Sequence, residues 1–240
     1  MKTLDDSQLA AFDVEFVDDR LWPLVAARID SDFPAGDFRF LDVGGGAGRF
    51  ADQLLERYPR ATGTVLDNSG RLLAGNRPHD RKTLVNGSVE RLAELFAPGE
   101  FDLICFNWLL HHLVLSSWSG SQRAMVDALE AARGLLSDRG RISLFENMYD
   151  GLLIDGLPGF LIFTLTSSRI LRPLLRGMGA NTAGVGVCFQ SHRQWERLLA
   201  RAGCAIGHYS NDVTWTLPWH WRVLLHMGYV RVGHFWCQGD

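Results

Sequence analysis

Short apolar runs, each closed by turn residues, recur along the chain from Phe38 onward. Runs of this length that end at glycine, asparagine or aspartate are typical of strands buried in a sheet. The candidates are FRFLDV (38–43), TGTVLD (62–67), KTLVNG (82–87), FDLICFN (101–107), RISLFEN (141–147), AIGHYSN (205–211) and GHFWCQG (233–239). The pattern therefore predicts a sheet of seven strands.

Helical patterns lie between most of these strands. They are GRFADQLLERY, SGRLLAGN, SVERLAELF, SQRAMVDALEAARGLL and SHRQWERLLARAG. Ser191 and Gln194 have the spacing of a capping box at the start of the last pattern, and Gly203 is a stop signal at its end. Alternation of strands and helices favours a doubly wound α/β fold, in which a mostly parallel sheet is covered on both faces.

Three segments interrupt this alternation, and we interpret them as caps on a single domain spanning 1–240. Residues 1–37 precede the sheet and contain the helical pattern DVEFVDDRLWPLVAARI, whereas 148–188 and 212–232 are insertions. In open α/β sheets, ligands bind beyond the carboxyl ends of the strands. We therefore expect the insertions to cover a substrate pocket.

Aromatic residues are concentrated in the two insertions. Phe160 and Phe163 lie in the earlier one, and Trp215, Trp219, His220 and Trp221 lie in the later one. Such a cluster either packs on the sheet as a hydrophobic cap or lines a pocket for a flat, apolar ligand. We expect the two roles to be combined.

The overall charge balance argues against a dedicated nucleic-acid binder. The chain has 240 residues, of which 47% are hydrophobic and 21% are charged, and its formal net charge is −3. Blocks of like charge are absent from the sequence, whereas nucleic-acid binders carry a basic stripe or patch. The composition is that of an ordinary globular protein.

Cysteine usage and hydropathy indicate a cytoplasmic setting without metal or membrane. The four cysteines form no CxxC pair, which predicts neither a metal site nor a disulfide framework. The opening MKTLDDSQLA has no apolar signal core. The most apolar stretch, GLLIDGLPGFLIFTLTSSRILRPLL, is broken by Asp155, Pro158, Gly159 and Arg169, so it does not predict a membrane span.

The glycine turn after the first strand carries the first chemical signal. FLDVGGGAGRF places Gly44, Gly46 and Gly48 in a G-x-G-x-G spacing, and Arg49 stands where a dinucleotide site has its third glycine. This tighter spacing suits a ligand that has no pyrophosphate. A plain strand-to-helix turn is the alternative reading of the glycines alone.

Polar residues at the ends of the next strands narrow the choice of ligand for the glycine turn. Asp67 ends the second strand, where an acid can accept both hydroxyls of a ribose. NGS (86–88) ends the third strand, where the edge of an adenine could be recognised, and FNWLLHHL (106–113) ends the fourth. The ordered set is far more specific than any one member.

These stretches resemble a known enzyme family. LDVGGGAG, ERYPRATGTVLDNSG, NWLLHHL and GRISLFENM are similar to class I S-adenosylmethionine-dependent methyltransferases over roughly residues 38–147. Within that class the sequence is most similar to the small-molecule O-methyltransferases exemplified by the plant caffeate and flavonoid enzymes. The resemblance implies a Rossmann-like sheet whose last strand is antiparallel. It also implies S-adenosyl-L-methionine as the cofactor and S-adenosyl-L-homocysteine as its product.

The resemblance also assigns roles to individual residues. It places the cofactor against Asp42, Gly44, Gly45, Gly46, Asp67, Asn68, Ser88, Val89, Asn107 and Trp108. His111 falls on the catalytic base of the family, and Glu146 falls on a carboxylate that orients it; no metal is implied. The chain departs from the family in two respects. It lacks the large N-terminal dimerisation domain, and an apolar region near Phe189 replaces a second carboxylate beside the histidine.

The sequence therefore predicts a cytoplasmic enzyme of secondary metabolism that methylates a hydroxyl of a small, aromatic molecule. It predicts no nucleic-acid or membrane partner and leaves the oligomeric state, including a homodimer, open. The alternatives are N- or C-methylation by proximity, binding of S-adenosylmethionine without methyl transfer, and an NAD-dependent dehydrogenase. A further alternative is that His111 only shapes the pocket.

Overall fold

The computed structural model describes residues 17–215 and 218–239, which contain a sheet of seven strands. The strands are β1 (Arg39–Val43), β2 (Thr62–Asp67), β3 (Lys82–Asn86), β4 (Phe101–Asn107), β5 (Leu136–Gly151), β6 (Cys204–Trp215) and β7 (Met227–Gly239). Their order is β3-β2-β1-β4-β5-β7-β6, with β1 to β5 parallel and β7 antiparallel to both neighbours. The predicted mostly parallel sheet with an antiparallel last strand is confirmed.

Helices fill the connections between these strands. They are α1 (Trp22–Asp32), α2 (Arg49–Arg57), α3 (Gly70–Leu73), α4 (Leu92–Leu95), α5 (Trp118–Gly134), α6 (Leu157–Ser167), α7 (Arg172–Gly177), α8 (His192–Arg201) and α9 (Trp219–Leu224). Two short 3-10 turns, Val89–Arg91 and Leu110–His112, follow β3 and β4. The predicted capping box of α8 is present, because Ser191 Oγ accepts the Gln194 N–H and Gln194 Oε1 accepts the Ser191 N–H.

Alternate residues of the central strands supply the hydrophobic cores on the two faces of the sheet. Ile104 of β4 packs in the core that contains Met125 of α5 and Trp195 of α8. Its neighbour Leu103 packs in the second core with Ile29 of α1. This two-residue alternation is the pleat of a strand buried on both sides.

The last three strands are longer than the sequence predicted. β5 continues to Gly151, β6 to Trp215, and β7 begins at Met227, so the ends of both predicted insertions are strand. Antiparallel pairing explains the extension, because Tyr149 pairs with Val230 and Met148 with Arg231 on β7. Polar residues such as Asp150, which accepts a hydrogen bond from Arg231, interrupt the apolar pattern and hid the continuation.

In the described part of the segment before the sheet, the helix begins at Trp22. The pattern DVEFVDDRLWPLVAARI predicted a helix over 13–29, and the observed α1 is Trp22–Asp32, with Pro23 in its first turn. Residues 13–16 lie outside the described part of the chain. Asp32 at the end of α1 accepts hydrogen bonds from Arg141 Nε at 2.6 Å and Trp236 Nε1 at 3.0 Å, which fix this helix against β5 and β7.

The described residues contain neither a membrane-spanning helix nor a cluster of metal ligands. None of their helices combines the length and the apolar character needed to cross a bilayer. Within 17–215 and 218–239, histidine, cysteine and acidic side chains form no group of three that could hold a metal ion.

Candidate active site

The carboxyl edge of the sheet brings the predicted site residues together. Asp42, Asp67 and Asn107 lie at the carboxyl ends of the adjacent parallel strands β1, β2 and β4. Glu146 lies in β5, which pairs with β4. The parallel order of the sheet thus converts four distant sequence motifs into one cluster of polar groups.

The glycine turn is fixed largely by its protein neighbours. Gly44, Gly46 and Gly48 all have positive φ, at 73°, 53° and 74°. A Cβ on Gly44 would lie 2.7 Å from Leu109 Cδ1, and a Cβ on Gly45 would lie 2.4 Å from Asp42 Oδ2. A Cβ at either glycine would therefore displace a neighbouring side chain, before any ligand is considered. Beside Gly46 the nearest atom to such a Cβ is 3.7 Å away, so a Cβ would fit there in ordinary van der Waals contact.

Asp42 and Asn107 present two unsatisfied acceptors. Asp42 Oδ1 accepts a hydrogen bond from Asn107 Nδ2 at 3.4 Å, whereas Asp42 Oδ2 and Asn107 Oδ1 are buried without a partner. Burial raises the pKa of Asp42 to about 7, and the negative charge of Asp67 adds to the effect. Buried acceptors are normally hydrogen-bonded, so these atoms are suited to a donor or cation of a ligand.

Asp67 joins the glycine turn to the segment after β2. Its Oδ2 accepts the Gly46 N–H at 3.0 Å, and its Oδ1 accepts the Ser69 N–H at 2.8 Å. Burial raises the pKa of this carboxyl. Each carboxylate oxygen can accept a second hydrogen bond, so hydroxyls of a ribose can still be bound. The neighbouring Asn68 is exposed.

The predicted adenine-binding residues follow β3. Ser88 caps the 3-10 turn through its Oγ, which accepts the Glu90 N–H, and Val89 is buried. Asn86 Nδ2 donates to the Asp67 backbone oxygen at 3.3 Å, which links this segment to the end of β2. Contact of Ser88 and Val89 with an adenine stays a prediction.

Trp108 is held in a strained backbone conformation. Its φ is 51°, a region that bulky residues rarely adopt. The indole stacks on Phe145 at a centroid distance of 5.8 Å and donates from Nε1 to Asn147 Oδ1 at 3.1 Å. The side chain is therefore part of the second core, and its predicted place beside the sulfonium stays a prediction.

His111 and Glu146 form a buried pair. His111 Nδ1 lies 2.5 Å from Glu146 Oε2, and both side chains are almost completely buried. Glu146 Oε1 accepts the backbone N–H groups of Leu110 at 2.9 Å and His111 at 3.4 Å. These bonds fix the carboxyl, and the carboxyl fixes the imidazole. The remaining ring nitrogen, Nε2, is the one that can serve a substrate.

Burial determines the protonation of the pair. It lowers the pKa of His111 to about 3, which keeps the imidazole neutral at pH 7. It also raises the pKa of Glu146, whereas backbone N–H bonds, including those of Leu110 and His111, favour the carboxylate. When this carboxylate accepts the Nδ1–H, the neutral imidazole offers Nε2 as a proton acceptor.

The aromatic surroundings of His111 come from the end of β5 and the segment before α8. The Phe189 ring centroid lies 4.7 Å from that of His111 and 4.5 Å from that of Tyr149. The apolar place predicted near Phe189 is thus in direct contact with the histidine. Tyr149 was not predicted as a site residue; its position just beyond Glu146 on a parallel strand was the only signal in the sequence.

The aromatic residues of the insertions do not all face a pocket. Phe163 is buried against Trp118, whereas Phe160 is 46% exposed and Trp219 is 77% exposed. The side chains of Trp215 and Trp221 lie outside the described residues. For Trp219 the expectation of a pocket wall is therefore not supported by its place on the surface.

Comparison with a family model identifies the central part of the chain. Residues 41–142, which include the glycine turn, Asp67 and His111, match the model described as a methyltransferase domain. No curated protein sequence matches the chain.

Solved structures of methyltransferases share the fold of this chain. An arsenic(III) S-adenosylmethionine methyltransferase from Chlamydomonas reinhardtii is 16% identical with a TM-score of 0.55, over 85% of this chain and 64% of that one. The mitomycin 7-O-methyltransferase MmcR is 17% identical with a TM-score of 0.56, over 98% of this chain and 59% of that one.

CalO1, a methyltransferase in calicheamicin biosynthesis, is 16% identical with a TM-score of 0.54, over 98% of this chain and 59% of that one. At such identities these matches show the fold alone. This chain spans about three fifths of the length of MmcR and CalO1.

S-adenosylmethionine is the cofactor of the methyltransferase domain, and CalO1 was solved in its S-adenosylhomocysteine-bound form. The residues at the carboxyl edge fit this molecule. The unpartnered oxygens of Asp42 and Asn107 suit a cationic ammonium, Asp67 suits the ribose hydroxyls, and the protein leaves room for a Cβ beside Gly46.

Proposed function

We propose that the methyltransferase transfers a methyl group to a hydroxyl of a small aromatic molecule, with His111 as general base. The observation that carries the proposal is the buried contact of His111 Nδ1 with Glu146, because Nε2 is the proton acceptor in the tautomer that donates Nδ1–H to the carboxylate. A methyltransferase that relies on proximity alone has no need of a buried, carboxylate-oriented imidazole. The aromatic rings of Phe189 and Tyr149 beside it support a flat acceptor.

One set of residues binds the cofactor, and His111 with Glu146 handles the proton. Asp42, the Gly44–Gly46 backbone, Asp67, Asn68 and Asn107 hold the cofactor, with Ser88, Val89 and Trp108 in its surroundings. The bound cofactor supplies a methyl group that is already activated as a sulfonium. Correct placement of the acceptor contributes on the order of 7–11 kcal/mol to such a displacement.

His111 removes the proton that the acceptor must lose. A phenol, with a pKa of about 10, is mostly protonated at neutral pH, and its anion is the better nucleophile. The proton passes to His111 Nε2, and the Glu146 carboxyl stabilises the imidazolium and holds the ring in position, as an orienting acid does in other histidine sites. General-base catalysis of this kind contributes about 10²–10⁴ in rate.

The setting in metabolism is part of the same proposal. MmcR is named as a mitomycin 7-O-methyltransferase and CalO1 as a methyltransferase in calicheamicin biosynthesis, and both share the fold. These likenesses support an enzyme of secondary metabolism whose acceptor is a small molecule. They do not identify the acceptor.

A methylation screen combined with His111→Ala tests the proposal. S-adenosylhomocysteine binding is first measured by calorimetry, with NADH as the competing candidate. Phenols and hydroxylated heterocycles are then incubated with S-adenosylmethionine, and products are identified by a mass increase of one methyl group. His111→Ala is expected to lower kcat by about 10²–10⁴ without changing the affinity for S-adenosylhomocysteine.

His79→Ala is the matched control, because His79 is an exposed histidine between β2 and β3. It should retain full activity. If the His111→Ala enzyme keeps its activity within a few-fold, His111 only shapes the pocket, and amine or carbon acceptors acting by proximity become the better hypothesis. Binding of NADH in place of S-adenosylhomocysteine would contradict the assignment of the cofactor site.

A further inference from the structure

Exposed large apolar side chains are concentrated on two segments of the cap. Among the described residues, eleven of thirteen such side chains lie in 152–178 and 219–229. They are Leu152, Leu153, Ile154, Phe160, Ile170, Leu174, Met178, Trp219, Val223, Leu224 and Tyr229. We call this set, together with the arginines described below, the cap surface. A large exposed apolar patch of this kind often marks an interaction site.

Part of the cap surface is continuous across the two segments. The Leu152 N–H donates to the His226 oxygen at 3.0 Å, so the 152–154 loop adjoins the turn that follows α9. Leu153 is 90% exposed, and Trp219 and Val223 are one helical turn apart on α9. Both segments meet at the carboxyl end of β5, the edge that carries the active site.

Arginine predominates among the charged residues of these segments, which contain one acid, Asp155. Residues 156–190 contain three arginines, Arg169, Arg172 and Arg176, and no acid, although the whole chain has a net charge of −3. Residues 213–239 also contain no acid. Asp155, at the border of the cap, is engaged by Ser191 Oγ at 2.8 Å and lies 3.5 Å from Arg197.

Exposed apolar residues and arginines are interspersed in and around α7. Ile170 precedes the helix, Leu174 lies within it and Met178 follows it, and they are 90%, 62% and 55% exposed. Segments that present apolar side chains beside arginines can lie in the interface of anionic bilayers, where the apolar side chains enter the acyl region and the guanidinium groups meet the phosphates.

We propose that the cap surface docks on an anionic lipid bilayer. The charge distribution favours this partner over a second copy of the chain. A two-fold interface through the same patch would bring the Arg169, Arg172 and Arg176 groups of two copies together, which like-charge repulsion opposes. An anionic bilayer instead neutralises them. Attachment of this kind needs no spanning segment, but it departs from the sequence-based prediction of no membrane partner.

Vesicle co-sedimentation with three double variants tests the proposal. The full chain is mixed with vesicles of equal parts phosphatidylcholine and phosphatidylglycerol, and in parallel with vesicles of phosphatidylcholine alone. We expect binding to the anionic vesicles only, and weaker binding as salt is added. The variant Arg169→Gln/Arg172→Gln should bind about 30-fold more weakly, the equivalent of about 1 kcal/mol for each arginine.

The apolar contribution is tested in the same assay. Leu153→Ser/Ile154→Ser and Ile170→Ser/Leu174→Ser should each weaken binding at least ~10-fold, because each removes two aliphatic side chains from the bilayer contact. The matched control is Leu84→Ser/Ile206→Ser, which changes the two exposed large apolar residues outside the cap. The control should bind as the unaltered chain does.

Three outcomes would overturn the proposal. The first is that the chain does not bind anionic vesicles. The second is that the control variant weakens binding as much as the cap variants do. The third is that vesicle binding is absent and the chain self-associates in sedimentation velocity in a way that the cap variants abolish. The last outcome would assign the cap surface to a second copy. Circular dichroism of every variant ensures that loss of binding reflects the surface and not the fold. Since no methyl transfer is measured, the result is independent of the proposed activity.

Discussion

At the scale of single residues, packing against protein atoms does not explain the missing side chain of Gly46 in the turn after β1. The nearest neighbours of a Cβ there are Leu72 Cδ1 at 3.7 Å and Asp67 Oδ2 at 4.0 Å, whereas Gly44 and Gly45 are confined by Leu109 and Asp42. The space beside Gly46 lies next to the carboxylate assigned to the ribose. A side chain in that space is expected to compete with the cofactor.

Gly46→Ala is therefore expected to weaken S-adenosylhomocysteine binding at least ~10-fold while the protein stays folded. Its positive φ adds a conformational cost of about 1–2 kcal/mol, which any L-residue would incur. Gly99→Ala is the matched control, because Gly99 also has a φ of 73° and nothing lies within 4 Å of its would-be Cβ. Calorimetry and urea unfolding on both variants separate the two effects; equal affinities would show that Gly46 does not border the cofactor.

Asp42 makes cofactor binding depend on pH. Burial, with Asp67 nearby, raises its pKa to about 7 in the folded protein. The pKa of Asp42 in the folded protein is higher than its unfolded value of about 4, so ionising Asp42 above about pH 4 lowers the free energy of unfolding. A bound cation stabilises the carboxylate and offsets this loss. We expect the affinity for S-adenosylhomocysteine to fall as the pH drops below 7, by up to about tenfold per pH unit.

In Asp42→Asn the affinity should be lower at neutral pH, and its dependence on pH should be lost. Titrations by calorimetry between about pH 8 and pH 6 measure both quantities. A wild-type affinity that does not change over this interval would mean that Asp42 does not ionise when the cofactor binds.

At the scale of elements, the capping box of α8 also fixes the cap to the domain. Ser191 Oγ accepts the Gln194 N–H at 3.1 Å and donates to Asp155 Oδ2 at 2.8 Å, just before α6 begins. Gly156, the next residue, lies against the Gln194 side chain. One serine thus starts a helix and holds the loop that leads into the cap.

Ser191→Ala should lower the free energy of unfolding by about 1–3 kcal/mol, since it removes a cap and a hydrogen bond to a carboxylate. Ser117→Ala, which removes the cap of α5 alone, should cost only about 1 kcal/mol. Urea denaturation of the two variants gives the comparison. Equal losses would indicate that the bond to Asp155 contributes nothing to stability.

At the scale of the whole molecule, Asp102 joins β1, β4 and the start of β5 at the amino edge of the sheet. Its Oδ2 accepts the Arg39 N–H at 2.9 Å, and its Oδ1 accepts from Ser137 Oγ at 2.7 Å and Arg139 Nε at 3.2 Å. Burial alone would raise the pKa of this carboxyl, but the hydrogen bonds outweigh burial and hold the pKa well below its usual range.

A depressed pKa contributes stability above the unfolded value of about 4, and this contribution is lost as the pH falls below it. Asp102→Asn should therefore lower the free energy of unfolding at pH 7 by about 1–3 kcal/mol. It should also flatten the loss of stability between about pH 4 and pH 2. Urea unfolding at a series of pH values provides the measurement, and a mutant curve parallel to that of the wild type would contradict the role of Asp102.

Some elements of the fold were predicted closely from the sequence, and others were missed. The central strands and the α8 cap were predicted closely, because each rests on local apolar periodicity or on one pair of capping residues. The extensions of β5, β6 and β7 were missed, because antiparallel pairing with a neighbouring strand maintains them through polar positions such as Asp150 and Thr214. Pairing with a distant strand leaves no periodic signal.

By itself, the sequence determined the alternation of strands and helices, the glycine turn and the order of the polar strand ends. These properties depend on residues close together in the chain. Only the tertiary structure decided that Asp42 and Asn107 each keep an unpartnered oxygen, that Phe189 packs on His111, and that Trp219 faces outward. Such facts depend on which distant segments meet in space, and on the water that their meeting excludes.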